Sequence, residues 1–222
     1  MIVLADPEAA AAPGAGYETA KRVVDVVLSL ALILLTAPLL LVLCGLVRLT
    51  SAGPALFRQQ RLGRDMRPFT LLKLRTMRVG EDDRIHRDYV ASLLSAKQPP
   101  AAIGSGLYKL DGDPRVTRLG GWLRRTSLDE LPQLVNVLRG AMSLVGPRPM
   151  LAWEAEQVGR PYRNRFAVKP GMTGLWQVSG RSRLPLRRAL ELDVEYVARR
   201  SLAADLAILA RTGPAVFRRG AS

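Results

Sequence analysis

From Lys21 onward the apolar positions do not alternate with polar ones; they run together. Between Asp25 and Arg48 stand 22 uncharged residues, VVLSLALILLTAPLLLVLCGLV. A straight helix of that length measures about 33 Å, enough to cross a hydrocarbon core of about 30 Å. The run is too long and begins too late for the apolar region of a signal peptide, and no small-residue cleavage site follows it. As a core helix it would need a much larger protein around it, so the pattern predicts insertion into a membrane. Two geometries remain open. One is a span kinked at Pro38, where the ring removes a backbone hydrogen bond and crowds the preceding turn. The other is a helix broken at Pro38 that enters and leaves on one face, with the Thr36 hydroxyl as a candidate to serve a carbonyl freed at the break. Lys21 and Arg22 before the run, and Arg48, Arg58, Arg61 and Arg64 after it, make both flanks basic. That symmetry gives no orientation for a through-span, and it would place both flanks of a re-entrant hairpin among anionic headgroups.

On either side the pattern changes. Residues 1–20 are rich in Ala, Gly and Pro and read as a flexible tail. PFTLLKLRTM (68–77) reads as a short strand or extended segment, residues 80–95 as a surface helix, and residues 96–114 as a Pro/Gly-rich loop of lid length. In LDELPQLVNVLRG (128–140), Leu131, Leu134, Val135 and Leu138 fall at i, i+3, i+4 and i+7 ahead of Gly140, which predicts an amphipathic helix closed by glycine. MSLVGPRPM follows as a proline-locked turn, and residues 169–182 are glycine-rich and irregular. Helices are expected over 184–200 and again from Ser201, a serviceable N-cap. Their apolar faces could pack on the core or lie in the membrane interface. The expected fold is mainly α with a few short strands. It divides into the tail (1–20), a membrane helix (21–52) and one compact domain (53–222).

Charge narrows the partners. Of 222 residues, 33 are Lys or Arg against 19 Asp or Glu, a net +14. Such a surface attracts polyanions: nucleic acid, anionic headgroups or phosphorylated substrates. Aromatic residues make up 5% of the chain, too few to supply stacking platforms for single-stranded nucleic acid. The single cysteine, Cys44, excludes an intramolecular disulfide and reads as a small buried or lipid-facing hydrophobe. The single histidine, His86, stands in EDDRIHRDY and reads as a solvated surface residue.

The chemistry concentrates in TSLDELPQL (126–134), where Asp129 and Glu130 stand side by side. One reading is structural: Ser127 caps a helix and Glu130, three residues on, reaches back in a capping box. Pro132 argues against it, because it would be the fifth helical residue, where its missing N–H is felt. With Asp129 as N-cap, Pro132 falls in the first turn and the carboxylate stands at the positive end of a helix. Arginines surround this segment. Arg124 precedes it, and Arg148 is locked between Pro147 and Pro149, a rigid fork suited to a phosphoryl group. Arg115 and Arg125 read instead as a solvated face that meets headgroups. Adjacent carboxylates with few other ligands suit a Mg²⁺ that keeps its waters and bridges a diphosphate. Carboxylates, arginines and a divalent ion are the parts of phosphoryl transfer, and an aspartate can itself be the nucleophile.

The pieces KRVVDVVLSL, GPALFRQQRLG, PFTLLKLRTM, DPRVTRLGGWLRRTSLDELPQLVNVLRG, MSLVGPRPM, KPGMTGLWQVSGRS, LDVEYV and SLAADLAIL run in this order through almost the whole chain. In that order the chain resembles the monotopic polyprenyl-phosphate phosphoglycosyl transferases, a bacterial sugar transferase family. The resemblance implies a re-entrant helix broken at Pro38, interfacial helices, and a catalytic domain on the cytoplasmic face of the inner membrane. It implies that Asp129 attacks the sugar-bearing phosphate of a nucleotide diphosphate sugar. Polyprenyl (undecaprenyl) phosphate then takes the phosphosugar from the aspartyl intermediate. Glu130 would hold Mg²⁺ with Asp129 and assist in deprotonating the acceptor. Arg124 and Arg148 match phosphate-contacting arginines, with Lys73 and Arg75 as weaker candidates. Membrane lipids and a second copy of the chain count among the expected partners; nucleic acid does not.

Three departures stand out. Ala37 replaces the serine that often precedes the helix-breaking proline, leaving Thr36 to serve the freed carbonyl, and Ala141 replaces an acidic residue that often precedes the MS of MSLVGPRP. A multi-span N-terminal region carried by many larger relatives is also not expected here. The rival of a different class is a non-catalytic, membrane-anchored basic protein that binds nucleic acid or anionic lipid. A second rival is an enzyme that works through a direct ternary complex. No segment names the sugar.

Overall fold

The computed structural model describes residues 14, 16–78, 113–180 and 184–217. The expected surface helix at 80–95, His86, nearly all of the 96–114 loop and residues 1–13 of the tail lie outside the described residues. The fold is mostly helical with short strands, as the pattern indicated.

Helix α1 runs from Tyr17 to Thr50 as one element with Pro38 inside it, so it begins within the segment expected to be tail. Asp25, Ser29, Leu43 and Val47 are buried, and Ile33 and Leu40 are partly buried against the core. These positions form a stripe at helical spacing along almost the whole length of α1. Val27, Leu30, Leu34, Leu35, Leu41, Val42 and Leu46 face outward as an apolar surface that the described residues leave exposed. Thr36 does not serve the carbonyl that Pro38 leaves without a donor: its hydroxyl donates to the Leu32 carbonyl at 2.7 Å.

Strands β1 (Leu56–Leu62) and β2 (Pro68–Leu74) form an antiparallel pair in continuous register from Leu56–Leu74 to Leu62–Pro68. β2 is the strand expected from the sequence; β1, with its arginines, was not. Helix α2 (Arg118–Thr126) is capped by the Thr117 hydroxyl, which accepts from the Gly120 amide. After a 3₁₀ turn at Leu128–Glu130 comes α3 (Gln133–Leu138), then β3 (Ser143–Val145) and α4 (Ala152–Gln157). The segment expected to be irregular contains β4 (Gly171–Thr173), parallel to β3, and α5 (Leu175–Ser179). The chain ends in α6 (Leu186–Arg199) and α7 (Leu202–Phe217), where Ser201 caps as expected: its hydroxyl accepts from the Ala204 amide.

Two polar clusters fasten α1 to this body. Near its start, the Asp205 carboxylate on α7 accepts from Tyr17 Oη (3.0 Å), Lys21 Nζ (2.8 Å) and Tyr196 Oη (2.7 Å). Burial pushes both phenols well above the usual tyrosine range, so all three groups act as donors to a charged acceptor. One helical turn on, Asp25 accepts from the Ser143 hydroxyl (3.1 Å) and the Leu144 amide (2.9 Å) of β3. At the far end, Leu43 and Val47 pack with Leu74 and Leu123.

Candidate active site

The carboxylate pair does not sit where either helix-cap reading put it. Ser127 closes α2 in the left-handed region (φ 59) and its side chain makes no cap bond to the turn that follows. Asp129 and Glu130 then lie within the 3₁₀ turn, and Pro132 is the N-cap of α3, not a residue of its first turn. The expected helix over 128–140 is thus a turn plus a shorter helix. Pro132 explains the break: at the N-cap its absent N–H leaves no bond unmade. A non-glycine residue in the left-handed region costs about 1–2 kcal/mol, held here next to the dyad. Gly140, at φ 80, ends α3 as expected.

α3 buries Leu134 and Val137, and also Gln133 and Asn136, which the apolar pattern did not mark. Asn136 accepts from the Leu72 amide (3.0 Å) and donates to the Thr70 carbonyl (2.7 Å). It therefore pairs with the open edge of β2 as a strand would, fixing β2, and Lys73 on it, beside the dyad. Lys73 Nζ stands 3.8 Å from Glu130 Oε1. Burial holds the Lys73 ammonium below its ordinary range, while Glu130 and Asp129 pull it back up.

A cleft of about 290 Å³ opens here, lined by Arg61, Lys73, Glu130, Gln133, Arg148 and Gln177 among others. Asp129 is 3% exposed and does not line the cleft itself, but it precedes Glu130, which does. Of the sequence candidates, the structure brings Glu130, Lys73 and Arg148 to one cleft, with Asp129 next to it. Arg124 sits half-buried on α2, within electrostatic reach of Asp113, and is not on the cleft wall. Arg75 is placed elsewhere: its guanidinium donates to the Ser51 carbonyl (2.7 Å) and hydroxyl (2.9 Å) at the exit of α1. It closes the C-terminus of that helix. Arg115, expected on a solvated face, is buried in a pair with Asp113 at 2.8 Å. Arg125 is exposed, as expected.

Arg148 is held in an unusual manner. Four consecutive carbonyls of its turn each accept a hydrogen bond from another element. Gly171 N donates to Pro147 O (2.8 Å), Arg165 to Arg148 O (2.8 Å), Arg61 to Pro149 O (3.4 Å) and Leu62 N to Met150 O (2.8 Å). Both arginines are anchored in turn. Arg61 pairs with buried Glu154 at 3.3 Å, and Arg165 pairs with buried Asp193 at 2.5 Å. Two prolines remove the turn's own donors, so these outside donors are what hold it. Glycine is required where β4 meets the turn: a Cβ on Gly171 would lie 2.1 Å from Gly146 N. Sequence reasoning missed Arg61, Arg165 and Asp193, though LDVEYV had flagged the last as part of a motif.

Among the described residues no three His, Cys, Asp or Glu side chains cluster. The donor set for a metal is the hard, adjacent pair Asp129 and Glu130. That fits Mg²⁺, which takes one or two carboxylates and completes its shell with water and substrate phosphates, and fits poorly a site caged entirely by protein.

The family described as bacterial sugar transferase matches residues 16–219. The chain is 42% identical over 199 residues to the UDP-galactose-lipid carrier transferase of Erwinia amylovora, covering 90% of this chain and 40% of that protein. It is 39% identical over 198 residues to the exopolysaccharide production protein ExoY of Sinorhizobium fredii, covering 88% of this chain and 84% of that protein. With the UDP-glucose:undecaprenyl-phosphate glucose-1-phosphate transferase of Caulobacter vibrioides it shares 41% identity over 213 residues, covering 92% and 72%. The matched region is thus well under half of the Erwinia protein and most of ExoY.

Proposed function

Since the chain belongs to the bacterial sugar transferase family, we propose that it moves a phosphosugar from a UDP-sugar to undecaprenyl phosphate. The products are undecaprenyl-diphospho-sugar and UMP, in the first membrane step of exopolysaccharide or related glycan assembly. The observation that carries this reading is the convergence of Glu130, Lys73, Arg61 and Arg148 on one cleft, with Asp129 adjoining Glu130 in the chain. The activities for which the Erwinia and Caulobacter relatives are named support the donor and acceptor classes.

In this reading an Asp129 carboxylate oxygen attacks the sugar-bearing phosphorus, and the bond from that phosphorus to the UMP oxygen breaks. UMP leaves with the electron pair, and the phosphosugar remains on Asp129 as an acyl phosphate, a mixed anhydride. A phosphate oxygen of undecaprenyl phosphate then attacks the same phosphorus and Asp129 departs as carboxylate. Where the acceptor arrives protonated, Glu130 takes the proton. Arg148 and Lys73 offset the charge of the diphosphate, with Arg61 beside them. Mg²⁺ held by Asp129 and Glu130 would neutralise phosphate charge. The burial of Asp129 suits a two-step path, because it keeps water from an acyl phosphate that water would hydrolyse. The test is direct: purified protein incubated with Mg²⁺ and a phosphate-labelled UDP-sugar, without acceptor, is expected to release about one UMP per chain and retain the label. Release that needs acceptor from the first turnover would instead favour a direct ternary complex.

The same family reading makes the membrane helix monotopic, with both flanks on the cytoplasmic face of the inner membrane where soluble donor meets lipid acceptor. Supporting it, the Tyr17–Asp25 end and the Leu43–Val47 end of α1 are fastened to one body. A helix crossing the bilayer away from that body could not keep both attachments. Labelling intact inverted vesicles with an impermeant reagent is expected to modify cysteines placed at residue 16 and residue 52 alike; protection of one alone would mean a through-span.

A further inference from the structure

A second cleft, of about 400 Å³, opens away from the dyad, where the start of α1 meets the body. Its walls include Lys21, Arg22, Asp25, Lys169 and Arg200. Lys21 is paired with Asp205, and Arg200 lies 3.9 Å from Glu18. Arg22 and Lys169 differ. Arg22 donates to the Val137 and Leu138 carbonyls, both at 2.6 Å, at the end of α3. Among the described residues it has no carboxylate within ion-pair distance, and Lys169 has neither ion pair nor hydrogen bond. The acids facing this cleft are Glu18, which is largely exposed, and Asp25, whose Oδ1 is taken by Ser143 and Leu144.

The two cations converge on Gly140. A Cβ there would lie 3.6 Å from Arg22 Nη2 and 3.6 Å from Lys169 Nζ, so the glycine leaves open the gap between them. Two like charges held around one gap repel each other unless an anion enters. Arg22 keeps its charge and the N–H groups that Val137 and Leu138 do not take, and Lys169 adds a compact charge with three donors, a pairing that can bind phosphate oxygens. Next to Arg22 on α1 stands Val23, and one turn further Val27 lies near the start of the uncharged run; both are exposed apolar side chains.

We propose that Arg22 and Lys169 form a site for the headgroup phosphate of an anionic phospholipid, distinct from the dyad cleft. The acyl chains would lie along Val23 and Val27. An anionic lipid is favoured because a zwitterionic one would bring its own cation into a cleft already rich in them.

Thermal unfolding of the full chain in detergent tests this, with dihexanoyl-phosphatidylglycerol as probe. The wild type is expected to gain about 3 °C or more at saturation, as a ligand that binds only the folded state must give. Lys169→Gln, which breaks no hydrogen bond, is expected to lose most of that gain. Arg22→Gln/Lys169→Gln is expected to lose all of it. Arg67→Gln/Arg160→Gln removes as much charge from exposed positions and is expected to keep it. Three outcomes would overturn the proposal: an undiminished gain in Lys169→Gln, an equal loss in the exposed pair, or an equal gain from dihexanoyl-phosphatidylcholine. A Lys169-dependent gain from inorganic phosphate alone would make this a free-phosphate site and overturn the lipid assignment.

Discussion

Asp129→Asn is expected to lower UMP release by on the order of 10³-fold or more, the scale seen when a covalent nucleophile is removed. It should also leave no labelled phosphosugar on the protein. The amide is nearly the same size as the carboxylate it replaces, so the buried turn at Leu128–Glu130 should keep its fold. The loss would therefore be chemical. Glu130→Gln should behave differently. It faces the cleft and pairs with Lys73 at 3.8 Å, so it should slow turnover by about 10²-fold or more, as loss of a proton acceptor does, while label still accumulates without acceptor. If Asp129→Asn retained label, or released UMP at the wild-type rate, Asp129 would not be the nucleophile. If Glu130→Gln alone abolished labelling, the two roles would have to be exchanged.

The second large effect concerns stability. Asp193 is fully buried, and burial pushes its carboxyl up to about 6 against the opposing pull of Arg165. Desolvation of this pair is therefore costly, and the pair as a whole adds little to stability. Removing one partner is another matter. Asp193→Ala leaves the Arg165 guanidinium charged and uncompensated in the core, at a cost of about 3–5 kcal/mol, measurable by denaturant unfolding. The double variant Arg165→Leu/Asp193→Leu should recover most of that loss, because it removes both charges. It should still release UMP about ten-fold more slowly, because Arg148 loses the donor to its carbonyl and positional errors near 1 Å carry penalties of this order or larger. A double variant with full activity would reduce the pair to a structural element. A single variant as stable as the wild type would contradict the burial argument.

How much of this was legible in the sequence depends on chain distance. Asp129, Glu130 and the Arg148 turn stood out because residues with related chemistry are neighbours in the chain, and Pro132 correctly ruled out a helix running from Ser127. The replacement, a left-handed Ser127 and a separate 3₁₀ turn, was not legible, because nothing in TSLDELPQL specifies where α2 must stop. Lys73 reached the site through β2, where PFTLLKLRTM had read as a short strand or extended segment. Arg75, two residues on, reads much the same in sequence, yet it lies just past the end of β2, where it closes α1. Arg61 read as part of a basic flank, Asp193 as a residue of the expected helix over 184–200, and Arg165 stood in a stretch with no pattern of its own. Their roles come from partners 17 to 93 positions away, which no local pattern encodes. Asp25 is the extreme case: a carboxylate beside an apolar run read as its boundary, and it holds β3.

The stripe that α1 lays on the body has a practical meaning for anyone wishing to work without lipid. Cutting the chain ahead of Gly53 would remove the hydrophobic segment, and with it the cover over Leu74 and Leu123. It would also strip the Ser143 hydroxyl and Leu144 amide of their acceptor and Asp205 of two donors. The soluble fragment so obtained would not be this domain minus an anchor. In this protein the segment that greets the bilayer is also a wall of the globule, so solubility has to be sought by repainting the outward face of α1, at Leu34, Leu35 and Leu41, while the inward stripe stays as it is.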